Sequence, residues 1–415
     1  MEVIKIMSNT ILIFIVIILI FDYLFERILD ILNASRWSNE VPDELKGIYD
    51  SEKYKKSQEY HKANNKFSFI TSTVSFILII IVLLTGGFKF LDNFLRQYTE
   101  NPIILALLFF GILGLASDLI MTPFSVYDTF VIEQKFVFNT TTPKTFILDK
   151  LKTWLLVLII GGGLLALFIT IYNFFQQNFW WIAWIVLTIV SVFFTMFYSE
   201  IIVPLFNKQT PLENGELRDE IERFANKAGF KLKNIYVIDG SKRSKKANAY
   251  FTGLGTKKRI VLYDTLINEH TKEELVAVLA HEIGHYKKKH TLKNMIFSVF
   301  ETGLMLFILS LFIGKPEMSL AIADIPSLHI GLLVFGILYS PLSLIIGIIT
   351  NVISRKYEYE ADKYAGVNYN PEHLILALKN LSVNNLSNLN PHPFYVFIHY
   401  SHPTLLQRIK ELKKI

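Results

Sequence analysis

The sequence predicts a mainly α-helical, polytopic membrane protein in which about seven apolar helices carry a soluble segment that contains a small β-sheet. Three observations carry this expectation. Hydrophobic residues make up 52% of the 415 residues and mean hydropathy is +0.37, too apolar for an ordinary soluble chain. The apolar residues gather in runs, and about 20 helical residues cross a bilayer core roughly 30 Å thick. Across residues 207–293 the runs stop, and turn residues, short β-type stretches and amphipathic helices replace them.

The runs cover residues 8–31, 67–90, 103–129, 154–175, 179–197, 294–313 and 328–353. Trp180, Trp181 and Trp184 open the fifth run as an interfacial belt would. The first run has only Lys5 as a basic head and no small-residue cleavage pattern before Trp37, so it reads as a retained helix rather than a signal peptide. Ser117, Asp118, Ser125 and Asp128 fall in or near the third run, where polar groups face a cavity or a partner. Gly161, Gly162 and Gly163 lie inside an apolar run and suit close helix packing rather than phosphate binding.

Charge sets the orientation. Arg36, Lys46, Lys53, Lys55, Lys56, Lys62 and Lys66 follow the first run, and Lys135, Lys144, Lys150 and Lys152 follow the third. The alternate connections offer only Lys89, Arg96 and Lys315. Cytoplasmic loops are the Lys/Arg-rich ones, so the soluble segment and the C-terminal tail are expected in the cytoplasm. The net charge of +6 is then topology and ordinary surface, and no basic stripe interleaved with aromatics points to nucleic acid. Cysteine is absent, so any metal must be held by His and carboxylate. Four regions follow: residues 1–206 with five membrane helices, 207–293 soluble, 294–353 with two more membrane helices, and 354–415 as a helical tail.

Within the soluble segment, the Thr210-Pro-Leu-Glu-Asn-Gly turn precedes an amphipathic helix over 216–228. Strands are expected at 234–238, 249–252 and 259–262. Thr271, with Glu274 three residues on, forms a capping-box pattern that starts a helix through Leu275, Val278, Leu279 and Ile283. That helix carries His281-Glu282-Ile283-Gly284-His285. Histidines four apart share a helix face and reach one ion, while Glu282, turned by about 100°, can touch a water on that ion without ligating it. A catalytic zinc site takes a third protein ligand, often a carboxylate. Downstream, Glu358 and Asp362 are four apart on one helix face, and Glu360 points elsewhere. One carboxylate can bind metal while the other orients an imidazole; spacing alone does not choose between them. His290, His392 and His399 lack partners at useful spacing and read as structural or solvated.

The combination of HEIGH, a helix pair, SRKYEYEADKYA and HYSHPTLLQRI resembles the type 1 CAAX prenyl protease family of membrane zinc endopeptidases. FSVYDTFVIEQKFVFN, PLFNKQTPLENGEL and SKRSKKANAYFTGLGTKKRIVLYDTLI extend the resemblance over nearly the whole chain. It implies helices enclosing a water-filled chamber that opens to the cytoplasm, and a zincin-like metalloprotease domain. It implies Zn2+ held by His281, His285 and Glu358, with Asp362 behind them. Glu282 would be the general base. His402 and Arg408 would stabilise the reacting carbonyl or hold the site together, and Asn248 would lie on a strand whose edge pairs with extended substrate. The implied partners are the bilayer and a peptide or protein substrate, prenylated or otherwise membrane-associated.

Two other readings stand beside it: the same chemistry used to clear misfolded membrane proteins, and a transporter or channel with an incidental metal site. A Lys-, Ile- and Asn-rich chain without cysteine points to a bacterial inner membrane, with the endoplasmic reticulum as the alternative.

Overall fold

The computed structural model describes residues 2–38, 40–41, 46–229, 235–252 and 259–415, the side chains of residues 251 and 252 excepted. The N-terminal half runs α1 (Glu2–Ala34), α2 (Ser51–Leu84), α3 (Gly87–Arg96), α4 (Pro102–Tyr127), α5 (Pro143–Leu156), α6 (Gly162–Phe175), α7 (Phe179–Ile201) and α8 (Val203–Phe206). Next come β1 (Gln209–Pro211), α9 (Glu216–Lys227), β2 (Ile235–Ile238), β3 (Ala249–Thr252) and β4 (Arg259–Tyr263). The chain closes with α10 (Asp264–Glu269), α11 (Lys272–Lys287), α12 (His290–Phe312), α13 (Pro316–Leu320), α14 (Leu328–Asn368), α15 (Pro371–Asn384), α16 (Pro393–His399) and α17 (Leu405–Leu412).

Six helical stretches among the described residues are long and apolar enough to cross a membrane. The fourth, Pro143–Phe206, is a double one. Gln176 takes φ 47°, ψ −114°, which ends α6, and α6 and α7 then pack on each other. Divided at this turn, the six stretches give seven candidate spans among the described residues, the number of apolar runs in the sequence. The second run ends earlier than expected: α2 stops at Leu84, Gly86 adopts the left-handed φ of 74°, and α3 starts anew. Apolarity continues through that turn, so hydropathy alone could not see it.

The helices pack around Ile15, Phe109, Phe179, Leu306, Ile330 and Val334. Gly162 brings α6 close to Leu107 of α4. π-turns at Asp128–Glu133 and Val157–Gly161 interrupt the third and fourth stretches. Asp118, inside the third, receives Lys150 Nζ at 2.6 Å and Trp154 Nε1 at 2.9 Å, so its charge is paired as an intramembrane carboxylate requires. The polar N-terminal half of α2 lies on the tail of the chain, where Tyr49 Oη donates to Ser382 O and Ser57 Oγ to Leu386 O.

The sheet has the order β1-β2-β4-β3, with β2 and β4 parallel and the other two pairs antiparallel. β1 was not expected from its three residues. Asn234, the expected start of the second strand, and residues 253–258 of the long basic motif lie outside the described residues. Beneath the sheet, Ile260 and Leu262 meet Leu275, Leu279 and Ile283 of α11 and Leu374, Leu405 and Ile409 of the tail. This second core fixes α11 against α14.

Candidate metal centre

α11 begins with the expected capping box: Thr271 Oγ1 accepts from Glu274 N at 3.3 Å, and Glu274 Oε2 accepts from Thr271 N at 3.4 Å. Glu274 is buried, and His270 Nδ1 and Asn380 Nδ2 complete its contacts at 2.8 and 2.9 Å. This pins the first turn of α11 and so the register of the two histidines at its other end. α14 leaves the membrane without a break and crosses α11 at Gly284. A Cβ at Gly284 would stand 3.1 Å from both the Cα and the carbonyl oxygen of Ala361, so any side chain there would press the two backbones apart by a few tenths of an ångström.

At the crossing, His281 Nε2 and His285 Nε2 are 3.0 Å apart, and Glu358 places Oε2 3.4 Å from the first and Oε1 3.2 Å from the second. One ligand atom from each of the three residues lies within 4.8 Å of the others. The outer nitrogens are engaged elsewhere. His281 Nδ1 donates to Asp362 Oδ1 at 2.9 Å. His285 Nδ1 meets His290 Nδ1 at 3.0 Å, and His290 Nε2 meets Glu360 Oε2 at 3.1 Å. When the rings are neutral, His285 Nδ1 donates to His290, His290 Nε2 to Glu360 and His281 Nδ1 to Asp362, which turns the Nε2 lone pairs of His281 and His285 toward the centre.

Two further properties fit a bound cation. Glu358 Oε2 is buried and accepts no hydrogen bond, a costly orphan unless something positive meets it. Burial alone disfavours charge on His281, but the neighbouring carboxylates of Asp362 and Glu358 outweigh it and lift the imidazole to about 9. A site that holds a proton this firmly is one that favours positive charge. His, His and Glu is also a donor set that suits a catalytic divalent ion with an open position.

Asp362 is buried, and Arg408 clamps it through Nε at 2.8 Å and Nη2 at 2.6 Å. Arg408 Nη1 lies 3.7 Å from Glu358 Oε2. Its charge is therefore spent behind the centre rather than in front of it. His402 approaches from the open side, with Nε2 3.3 Å from Glu358 Oε1 and a side chain 62% exposed. Glu282 neighbours His281, and burial raises its carboxyl above the ordinary value.

Of the residues expected at the site, His281, Glu282, His285, Glu358, Asp362, His402 and Arg408 converge. Asn248 is exposed just before β3; its Oδ1 accepts from Ala249 N at 2.8 Å, and among the described residues no hydrogen bond or ion pair joins it to the cluster. β3 is nevertheless the last strand in the sheet order and packs near α11. His290 was misread. It is buried, stacked on Tyr357 at 4.1 Å, and reaches His285 across the left-handed Lys289 that separates α11 from α12. A five-residue spacing across a helix break gives no periodic signal. His392 accepts from Phe394 N and caps α16, and His399 lies 3.3 Å from Glu26.

Comparison with known proteins agrees with this architecture. Residues 30–208 match the family model described as CAAX prenyl protease N-terminal, five membrane helices, and residues 211–415 match peptidase family M48. CAAX prenyl protease 1 of Saccharomyces cerevisiae is 36% identical over 399 residues, covering 90% of this chain and 88% of the yeast protein. The human CAAX prenyl protease 1 homolog is 34% identical with the same two coverages, 90% and 88%. The crystal structure of S. mikatae Ste24p superposes with a TM-score of 0.92 at 34% identity, covering 97% of this chain and 99% of that one.

Proposed function

This chain belongs to peptidase family M48, joined to a CAAX prenyl protease N-terminal domain, and from that premise we propose that it is a zinc endopeptidase whose centre is His281, His285 and Glu358. The observation that carries the ligand set is the convergence of His281 Nε2 and His285 Nε2, 3.0 Å apart, on the buried carboxylate of Glu358 at 3.4 and 3.2 Å. Zinc, when bound there, acidifies a water and polarises a carbonyl.

The chain's own groups do the rest. Glu282, whose carboxyl burial raises above its ordinary value, takes the proton of the attacking water and returns it to the leaving amine. His402, exposed on the open side, donates to the carbonyl oxygen as negative charge grows on it. Asp362 holds the His281 ring, and Arg408 holds Asp362, which makes Arg408 a positioning residue. Asn248 and the edge of β3 would pair with an extended peptide.

The substrate we infer, on the names of the relatives, is a prenylated CAAX protein, cut to release its C-terminal tripeptide. The active site faces the cytoplasm on this reading, because the lysine-rich connections converge on the end of the molecule that holds α11. Composition favours a bacterial cell membrane over the endoplasmic reticulum. The deciding assay compares Glu282→Gln with wild type on a farnesylated CAAX peptide and on its unlipidated twin. Glu282→Gln should keep its zinc and lose cleavage by at least about 100-fold; wild-type turnover in that variant would sink the assignment. Equal cleavage of the twin peptides would keep the chemistry and discard the prenylated substrate.

A further inference from the structure

Away from the metal centre, a cleft of about 680 Å³ lies where α5, the end of α7 and α8 meet the sheet. Its charged lining is Lys152, Lys208, Lys242 and Arg259 against Glu200 and Asp239. Those carboxylates are engaged: Glu200 pairs with Arg259, and Asp239 Oδ1 accepts from Asn207 Nδ2 at 3.0 Å and from Lys208 N at 2.8 Å. Among the described residues no carboxylate pairs with Lys152, Lys208 or Lys242. Lys152 Nζ donates only to the Leu205 carbonyl, at 2.7 Å, and lies over the Phe206 ring. Three ammonium groups therefore share one concavity with no anion of their own.

The cleft also sits at a defined depth. Lys152 lies at the foot of the fourth apolar run, and Ser199 and Glu200 at the end of the fifth. Exposed Ile185, Ile189 and Phe193 follow one face of α7 toward it, and exposed Ile201 and Leu205 flank it. Lysines gathered beside membrane helices on the lysine-rich side of a membrane protein recognise acidic headgroups. We propose that this cleft binds the phosphate headgroup of an anionic phospholipid, with Lys152, Lys208 and Lys242 as its cationic contacts and the apolar flank of Ile201 and Leu205 against the acyl chains. The volume far exceeds a lone phosphate ion, and the apolar flank has no use for one. The inference does not depend on the peptidase reading.

Native mass spectrometry of the full chain released from mixed phosphatidylglycerol and phosphatidylcholine nanodiscs tests it. Wild type should retain phosphatidylglycerol in preference to phosphatidylcholine. Lys152→Gln/Lys208→Gln/Lys242→Gln should weaken that retention by about fivefold per lysine removed, roughly 100-fold in all. Lys208→Gln/Lys242→Gln keeps the Lys152–Leu205 contact and should lose about 25-fold, which covers a folding failure of the triple variant. Lys208→Arg/Lys242→Arg should bind as wild type does. A control, Lys55→Gln/Lys56→Gln on the exposed start of α2, should change nothing. Unaltered phosphatidylglycerol retention in the glutamine variants would overturn the site. Displacement of the lipid by millimolar inorganic phosphate, with equal phosphate binding in lipid-free detergent, would make it a phosphate-ion site and overturn the lipid assignment.

Discussion

Glu282 and Glu358 stand within one cluster, yet the chemistry asks opposite things of them. On the proposed mechanism Glu358 stays ionised and aimed at the centre, while Glu282, its carboxyl raised by burial, takes up and returns a proton. Replacing His285 or Glu358 with Ala should abolish stoichiometric metal in purified protein, measured by elemental mass spectrometry; metal retained in Glu358→Ala would move the third ligand to Asp362. Asp362→Asn and His290→Ala should keep a metal but weaken it about 10–100-fold, since each only orients a ring. A pH consequence follows for metal-free protein. The His281 pKa is raised from 6.5 to about 9, so its ion pairs stabilise the fold fully below 6.5 and are lost as pH rises through 9. The melting temperature of metal-stripped protein should therefore fall between about pH 7 and 9, and a flat profile there would count against the observed contacts. Spacing made the histidine pair and Glu282 legible, because four residues make nearly one helical turn. It left Glu358 and Asp362 equivalent, because both lie on one face, and only their level along α14 separates them. Arg408 was legible as a site residue but not as the clamp on Asp362, which depends on how the tail folds back.

Among the elements, α11 was the most readable, since its cap, apolar stripe and motif all point to one helix. Its crossing with α14 was not readable, because nothing in the sequence around Gly284 says which backbone will come near. Gly284→Ala should force that crossing apart. Overpacking of this kind costs about 1–3 kcal/mol, and here the strain falls between the ligands, so metal affinity should drop more than the melting temperature suggests. Wild-type metal affinity in Gly284→Ala would show that the approach is looser than 3.1 Å implies. Thr271→Ala, by contrast, should cost about 1 kcal/mol of stability through the lost cap and leave metal affinity nearly untouched. The short β1 and the early end of α2 escaped prediction for related reasons: three residues hold no periodicity, and a left-handed Gly86 leaves the surrounding hydropathy unchanged.

For the molecule as a whole, seven crossings were legible because chain length and apolarity suffice to mark a span. The break at Gln176–Asn178 shows in the sequence only as a short polar gap between two apolar runs. The absence of cysteine makes the topology directly testable. A single cysteine at Lys56, on the side of the metal centre, should be shielded from an impermeant maleimide in intact cells, and one at Lys315 should be labelled. The reverse pattern would invert the molecule and put the active site outside. Metal removal should also lower the melting temperature of wild type, because an ion that binds only the folded state adds to its stability by mass action.

α14 runs 41 residues without interruption, from Leu328 at the far membrane surface to the carboxylates that meet α11. Pro341 removes one backbone hydrogen bond partway along, the natural point of compliance in an otherwise stiff rod. Such a helix works as a lever with one arm in lipid and the other at the reacting bond. A tilt of the buried arm by a few degrees, of the kind that a thicker or thinner bilayer imposes, moves Glu358 relative to histidines anchored on a separate helix. On the proposed ligand set such a tilt would shift the coordination geometry, and turnover should then change with lipid chain length; turnover independent of chain length would show that the lever is not used.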